Sequence, residues 1–135
     1  MKIFVTGGAG FIGSAFIRYV INNSSDSIVN FDKLTYAGNL DSLELVEDSD
    51  HYSFIHGDIC NENDLEAAIF STSPDCIIHL AAESHVDRSI DNPLNFIESN
   101  IIGTFNLLEA TRAYWEKIGD IKKNLLCLDI ISINW

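Results

Sequence analysis

The sequence predicts an α/β fold, a doubly wound parallel sheet of about five strands with helices on both faces. Three observations point there. A glycine-rich turn, Thr6-Gly7-Gly8-Ala9-Gly10-Phe11-Ile12-Gly13, joins a short apolar run, Ile3-Phe4-Val5, to a helix-like run from Ser14 to Ile21. Short apolar runs then alternate with segments of helical periodicity along the chain, and no internal repeat interrupts that order. The composition suits one buried core: 135 residues, 47% hydrophobic, with two prolines and eight glycines. No apolar run approaches the ~20 residues of a membrane span.

The first strand begins directly after Met1-Lys2, and the glycine turn follows it. Backbone can press against an anion where no Cβ intervenes, and the free N–H groups and positive dipole end of the next helix favour one there. The turn therefore reads as a pyrophosphate seat. Gly8, Gly10 and Gly13 fit G-x-G-x-x-G, while Gly7, Gly10 and Gly13 fit G-x-x-G-x-x-G, so the glycines alone leave the subtype open. The helix starts near Phe11 and ends in the turn formers Asn22-Asn23-Ser24-Ser25-Asp26. A second strand, Ile28-Val29-Asn30-Phe31, closes at Asp32. That acid stands about 20 residues past the glycines, where such folds bond the adenosine ribose 2′-OH.

A long connection from Lys33 to Leu40 leads to a short helix over Asp41 to Glu47. Tyr52-Ser53-Phe54-Ile55-His56 alternates like a strand, and Gly57-Asp58-Ile59 behind it puts Asp58 beside the adenine end of a bound dinucleotide. Asn61 or Asn63 caps a helix through Leu65, Ala67, Ala68, Ile69 and Phe70, which Ser73-Pro74 stops. Asp75 to Leu80 reads as a buried strand. Past its carboxyl end, Ala81 to Ser89 mixes small and polar residues, and the small ones let a nicotinamide ribose approach. Asn92-Pro93 starts a helix with a capping side chain and then proline where no N–H is required. Apolar positions at helical spacing from Phe96 to Lys117 make it one long helix with a break near its start. Gly119-Asp120 ends it, Lys122-Lys123-Asn124 is a polar connection, and Leu125 to Ile133 reads as the fifth strand.

Twenty acidic against eight basic residues give a net charge of −12. That balance repels nucleic acid and anionic membrane, so neither is an expected partner, and it reads as a solvated acidic surface. Cys60, Cys76 and Cys127 are odd in number, lack C-x-x-C and follow no signal peptide. Reduced thiols in the cytoplasm are expected, all three as small core residues. His51, His56, His79 and His85 show no metal-ligand spacing with one another or with cysteine, so no metal site is expected, and His79 reads as a buried strand histidine. Ser84-His85-Val86-Asp87 holds the residue types of a hydrolase triad, but neighbours on one loop seldom converge and no nucleophile elbow is present.

Asp32-Lys33-Leu34-Thr35-Tyr36-Ala37-Gly38-Asn39-Leu40 and Leu80-Ala81-Ala82-Glu83-Ser84-His85-Val86-Asp87-Arg88-Ser89 resemble the dTDP-glucose 4,6-dehydratases, a family of extended short-chain dehydrogenases/reductases. The similarity runs from residue 1 to about Asn124. These two motifs set it apart from the sugar-nucleotide epimerases, which share the glycine turn but not these words. The resemblance implies the N-terminal portion of a Rossmann-like domain, incomplete relative to the family and without its substrate domain. It implies NAD, which takes a hydride from the sugar C4, permits loss of water across C5 and C6, and returns the hydride to C6. It also implies dTDP-glucose as substrate and a family homodimer built on the long helix and the next one.

Carried over residue by residue, the resemblance gives Gly7, Gly10, Phe11, Ile12 and Gly13 to the pyrophosphate. Asp32, Lys33, Leu34 and Thr35 go to the adenosine ribose, and Asp58 and Ile59 to the adenine. Leu80, Ala81, Ala82 and Ser84 would line the nicotinamide side, with Ser84 also touching the hexose. Ser99 stands where the family usually has threonine, and keeps a hydroxyl. The residues agree on the cofactor, because Asp32 accepts two ribose hydroxyls but repels a 2′-phosphate, which favours NAD over NADP.

The resemblance breaks at the tail. The family's fifth strand ends Ile-Ser-Thr-Asp-Glu, whose threonine polarises the C4 hydroxyl and whose acids serve the dehydration. Here the residues are Ile131-Ser132-Ile133-Asn134-Trp135. Each substitution removes a function typically worth 10²–10⁴-fold in rate. The family's Tyr-x-x-x-Lys also has no counterpart: none of Tyr19, Tyr36, Tyr52 or Tyr114 has a lysine four residues on, and Lys117 follows Tyr114 by three. No catalytic residue is assigned. Two readings of different class follow: an NAD-dependent dehydratase seen through its cofactor half, and a remnant that binds NAD without catalysis or merely folds. The abrupt departure from Leu125 raises the expectation of a disrupted reading frame, and of an exposed fifth strand that invites association.

Overall fold

The strands form where β-branched and aromatic residues cluster between turn formers, and in a parallel sheet covered on both faces such runs are almost continuously apolar. The computed structural model describes residues 1–36, 38–84, 92–123 and 126–130. Within it β1 (Lys2–Thr6), β2 (Ser27–Asp32), β3 (Tyr52–His56), β4 (Cys76–His79) and β5 (Cys127–Ile130) lie in one sheet, ordered β3-β2-β1-β4-β5. Every pairing is parallel. The α/β expectation and the number of strands agree with this sheet.

Alternation along the strands divides the core into two layers. Phe4, Val29, Phe31 and Ile77 pack with Leu65 and Ile69 of α2 (Glu62–Thr72) and with Leu107, Ala110 and Tyr114 of the last long helix. Ile3, Val5, Ile28 and Ile78 pack on the other face with Ile17 and Val20 of α1 (Phe11–Asn23), and with Leu43 and Val46. Helices therefore cover both faces. Thr6 pairs with Phe31 on one side and His79 on the other, so β1, β2 and β4 end level where the strand order reverses. Such a switch point leaves a crevice at the carboxyl ends.

Several boundaries follow local chemistry. Asn61 caps α2 by accepting from the Asp64 amide at 3.3 Å, and Ser73 ends it in the left-handed region at φ 50. The long helix is α3 (Pro93–Phe96), a π-helical stretch over Ile97–Gly103, then α4 (Thr104–Lys117). The expected break is thus a widened turn within a continuous helical path. At its end a Cβ on Gly103 would lie 2.5 Å from Ile59 Cδ1, so glycine lets the helix pack against that side chain of the β3–α2 loop without displacing it.

Four expectations need correction. Asn92 precedes Pro93 but its side chain makes no capping hydrogen bond, its backbone lying at φ −142, ψ 76. The segment after Glu44 continues as turns, with a 3₁₀ turn over Leu40–Leu43 in place of a helix from Asp41, because Asn39 accepts from the Asp41 amide at 2.9 Å. Asp120–Lys123 forms a helical turn, α5, where a polar connection is expected. Only Cys76 is a core thiol: Cys60 is half-buried and Cys127 exposed, the latter because β5 is an edge strand. Among the described residues Cys127, Asp129 and Ile130 of β5 are exposed. Residues 131–135, with the altered Ile131-Ser132-Ile133-Asn134-Trp135 ending, lie outside the described residues, as do Ala37, 85–91 and 124–125. His79 is buried as expected, its Nδ1 2.6 Å from Thr6 Oγ1 and its Nε2 3.0 Å from Thr104 Oγ1.

Candidate functional site

The crevice at the switch point is built first from backbone. Gly7 takes φ +74, a left-handed conformation that favours glycine, and its amide donates to the Phe31 carbonyl at 3.1 Å. A Cβ there would lie 2.5 Å from the Ala81 nitrogen, so Gly7 also lets β1 and the β4 loop converge. At Gly8 a Cβ would collide with Asn30 Oδ1 and stand 2.5 Å from Ile17 Cδ1; at Gly13 it would meet the Gly7 carbonyl. These three glycines answer to neighbours inside the protein.

Gly10 does not. Its backbone is extended, at φ −74 and ψ 173, which any residue adopts, and a Cβ would have only the Gly7 oxygen near it, at 3.3 Å. It lines the crevice at the start of α1, with α1's unpaired amides behind it.

Asp32 closes β2 almost fully buried, and its carboxylate is held by backbone at both oxygens. Oδ2 accepts from the Ala9 amide at 2.9 Å and Oδ1 from the Leu34 amide at 2.8 Å. One lone pair on each oxygen remains for hydroxyl donors in the crevice. Leu34 reaches this position through a positive φ of 55. The connection behind it is tied down by Asn39, whose amide donates to the Ala9 carbonyl at 3.0 Å.

Lys33 Nζ and Asp58 Oδ2 pair at 2.5 Å across the β2 and β3 ends. The hydrogen bond to Asp58 raises the Lys33 ammonium above its ordinary range. Burial alone would raise Asp58, but Lys33 and the Cys60 amide together hold its carboxyl below the usual value. Both groups are ionised at neutral pH.

The crevice is an open cleft at the carboxyl ends of the strands. Of the residues the sequence singles out, Gly7, Gly10, Asp32, Lys33, Thr35, Asp58, Ile59, Leu80, Ala81, Ala82 and Ser99 line it. Phe11, Ile12 and Gly13 sit in the first turn of α1 behind its wall, with the Phe11 side chain turned out to solvent. Leu34 contributes its amide to Asp32 rather than a wall, and Ser84 is exposed just past the lining residues.

The structure adds wall residues that sequence reasoning missed: Phe31, Gly38, Gly57 and Glu83. Asn100 clamps the Glu83 backbone at both groups, its Oδ1 accepting from the amide at 2.8 Å and its Nδ2 donating to the carbonyl at 2.9 Å. The Tyr36 hydroxyl donates to Glu83 Oε2 at 3.0 Å, so the β2 and β4 loops touch across the mouth. A glycine directly after a strand was the available signal for Gly57, whose Cβ would strike the Phe31 ring. No sequence signal pairs Asn100 with Glu83.

The sequence model of the family described as GDP-mannose 4,6 dehydratase matches residues 4–125. Among curated relatives, dTDP-glucose 4,6-dehydratase of Shigella flexneri is 60% identical over 123 residues, covering 91% of this chain and 34% of that protein. dTDP-glucose 4,6-dehydratase 1 of Escherichia coli (strain K12) is 59% identical over 124 residues, covering 92% and 34%. The crystal structure of dTDP-glucose 4,6-dehydratase from Bacillus anthracis in complex with NAD superposes with a TM-score of 0.79 at 36% identity, covering 98% of this chain and 37% of that one. UDP-glucose 4-epimerase of Thermus thermophilus, in complex with NAD, gives 0.72 at 30% identity, covering 84% and 34%. The chain spans about a third of the length of the curated relatives it matches. A parallel 3-2-1-4-5 sheet, a glycine turn backed by a clamped Asp32, and a match over most of its residues place the chain in one lineage: it belongs to the GDP-mannose 4,6 dehydratase family.

Proposed function

We propose that these residues are the NAD-holding part of a dTDP-glucose 4,6-dehydratase. The observation that carries the reading is Asp32, an almost buried carboxylate fixed by two backbone amides, with acceptor capacity left facing the crevice. A group so placed takes the two hydroxyls of an adenosine ribose and rejects a 2′-phosphate, because like charges at hydrogen-bond distance repel. Gly10 supports the fit independently. Among the described residues nothing requires glycine there, whereas a pyrophosphate lying against the backbone does.

On this reading the α1 amides at Phe11 and Ile12 hold the pyrophosphate, and Lys33, Leu34 and Thr35 frame the ribose beside Asp32. Asp58 and Ile59 border the adenine; Leu80, Ala81, Ala82, Ser84 and Ser99 border the nicotinamide side. Bound NAD supplies the acceptor and donor of hydride for oxidation and later reduction of the sugar. The chain's part is to orient it: the Ala81 and Ala82 side chains are too small to keep a ring away, and Ser84, exposed just past the crevice wall, would offer its hydroxyl to the hexose. dTDP-glucose is preferred to GDP-mannose as substrate because the dTDP-glucose enzymes are 60% and 59% identical over nine-tenths of the chain. A cytoplasmic homodimer belongs to the same proposal. No helix among the described residues is long and apolar enough to cross a membrane.

A second reading, NAD binding without turnover by these residues alone, is favoured by Tyr114. Its side chain is buried, and its hydroxyl donates to the Pro74 carbonyl at 3.1 Å, which ties it to packing and away from the crevice. Lys117, the lysine nearest to it in sequence, lies over the Phe70 ring at 4.5 Å. Neither can move a proton on a sugar in the crevice. Calorimetry with NAD, alongside assay of dTDP-glucose turnover by the purified chain, tests both readings. Binding without turnover is the expected result; no NAD binding would overturn the first reading, and turnover the second.

A further inference from the structure

We propose that Cys76, Cys127 and Asp129 form a binding site for a thiophilic divalent cation of the zinc and cadmium class, on the α1 side of the β4–β5 edge. The sequence spacing of the two cysteines gives no hint of it. The sheet register creates it, because Cys76 pairs directly with Cys127 across the parallel ladder. Registered partners point to one face, and so does the residue two positions on, which adds Asp129. The donor atoms Sγ, Sγ and a carboxylate oxygen all lie within 4.8 Å of one another, and Cys127 Sγ is 3.4 Å from Asp129 Oδ2.

Geometry and chemistry both fit a tetrahedral soft-borderline ion. Bonds of about 2.3 Å to sulfur and about 2.0–2.2 Å to oxygen require ligand atoms roughly 3.3–3.8 Å apart. The Cys127 Sγ–Asp129 Oδ2 separation of 3.4 Å already lies in that range. Two thiolates select zinc or cadmium over magnesium or calcium, which take oxygen ligands. The inner ligand, Cys76, is buried among Ile3, Val5 and Ile78, whereas Cys127 and Asp129 are exposed. An ion can therefore enter from solvent, with water at the fourth position. The chain's charge of −12 attracts it.

Binding is not a redox step. The ion gains two sulfur bonds and one oxygen bond, each thiol loses its proton to solvent, and the carboxylate coordinates as it stands. Burial first, then Cys127 and the neighbouring carboxylates, push the Cys76 thiol up to about 12, so the ion displaces that proton as it binds. Thiolate ligation therefore releases protons as the ion binds.

The test is titration of the reduced chain with cadmium, followed by the ultraviolet thiolate-to-cadmium charge-transfer absorption, with proton release measured in weak buffer and zinc added as competitor. The expected result is saturation at one cadmium per chain with protons released and displacement by zinc. Cys127→Ser abolishes the band, Asp129→Asn weakens binding, and Cys60→Ser, remote from the group, leaves the titration unchanged. Cys127 is exposed on an edge strand, so its serine variant keeps the fold by circular dichroism; Asp129→Asn provides the test if it does not. Failure of the unmodified chain to saturate, or a band kept by Cys127→Ser or lost with Cys60→Ser, overturns the proposal.

Discussion

Replacing single glycines in the Gly7–Gly13 turn separates what the fold needs from what the cofactor needs. At Gly10 an alanine Cβ has one neighbour, the Gly7 oxygen at 3.3 Å, which yields by a few tenths of an ångström, and the backbone is already in an ordinary extended conformation. Alanine also restricts the unfolded chain, which favours folding by ~0.4–1 kcal/mol and offsets the contact. The net change in stability stays within about 1 kcal/mol. The same Cβ stands in the crevice where a pyrophosphate would lie, and losing one charge-assisted hydrogen bond costs ~1.5–3 kcal/mol, or roughly 10- to 150-fold in NAD affinity. Gly8→Ala behaves oppositely. Its Cβ collides with Asn30 Oδ1 and comes to 2.5 Å from Ile17 Cδ1, both in the core, so overpacking costs ~1–3 kcal/mol. For a domain of this size that lowers Tm by roughly 4–12 °C. Thermal unfolding and NAD calorimetry on both variants measure the two effects separately. If Gly10→Ala unfolds like Gly8→Ala, or binds NAD as well as the parent does, the reasoning about Gly10 is wrong.

Asp32→Asn offers one oxygen and one NH₂ group to two donating amides, Ala9 and Leu34, so it destabilises by ~1–3 kcal/mol in urea unfolding and narrows the preference for NAD over NADP. Unchanged stability would mean that the two amides do not clamp the carboxylate. Burial holds the His79 imidazole below its ordinary value of 6.5. Its folded pKa is thus the lower one, and the unfolded chain takes the proton first as pH falls. The stability it contributes is complete above about pH 6.5 and declines below that, with a slope of at most ~1.4 kcal/mol per pH unit. Urea midpoints at pH 7.5 and 5 should differ for the parent and differ less for His79→Gln; the interval avoids Asp58, whose lowered pKa acts only below about pH 4. Burial pushes the thiols of Cys60 and Cys76 up to about 11 and about 12. Iodoacetamide at pH 7.5 should therefore label exposed Cys127 first, and mass spectrometry showing Cys76 labelled at an equal rate would contradict its burial.

The parts of the cleft that the sequence reveals are those encoded in one short stretch of backbone. A glycine turn between strand and helix, and an acid closing the next strand, specify Gly7, Gly10 and Asp32 because neighbouring elements in a parallel sheet place them at one end. The short apolar runs at β1, β2 and β4 likewise read as strands of a sheet with helices on both faces. What stayed hidden depends on contacts between distant residues. Glu83 becomes a wall residue because Asn100 holds its backbone from a helix that arrives later in the chain. The π-helical stretch before α4 exists where Gly103 meets Ile59, a packing event with no local signature. The cysteines were misjudged for the same reason: composition suggests small core residues, but strand order alone decides that Cys76 is inside and its registered partner Cys127 lies at an edge.

Comparative calorimetry of the chain with NAD and NADP tests the central claim most directly, since the claim is that Asp32 and the Gly10 turn form a seat for the unphosphorylated dinucleotide. The account predicts one NAD per chain and NADP weaker by at least about tenfold, the cost of roughly 1.4 kcal/mol of charge repulsion at Asp32. Equal affinities, or no binding of NAD by a chain shown to be folded, would contradict it.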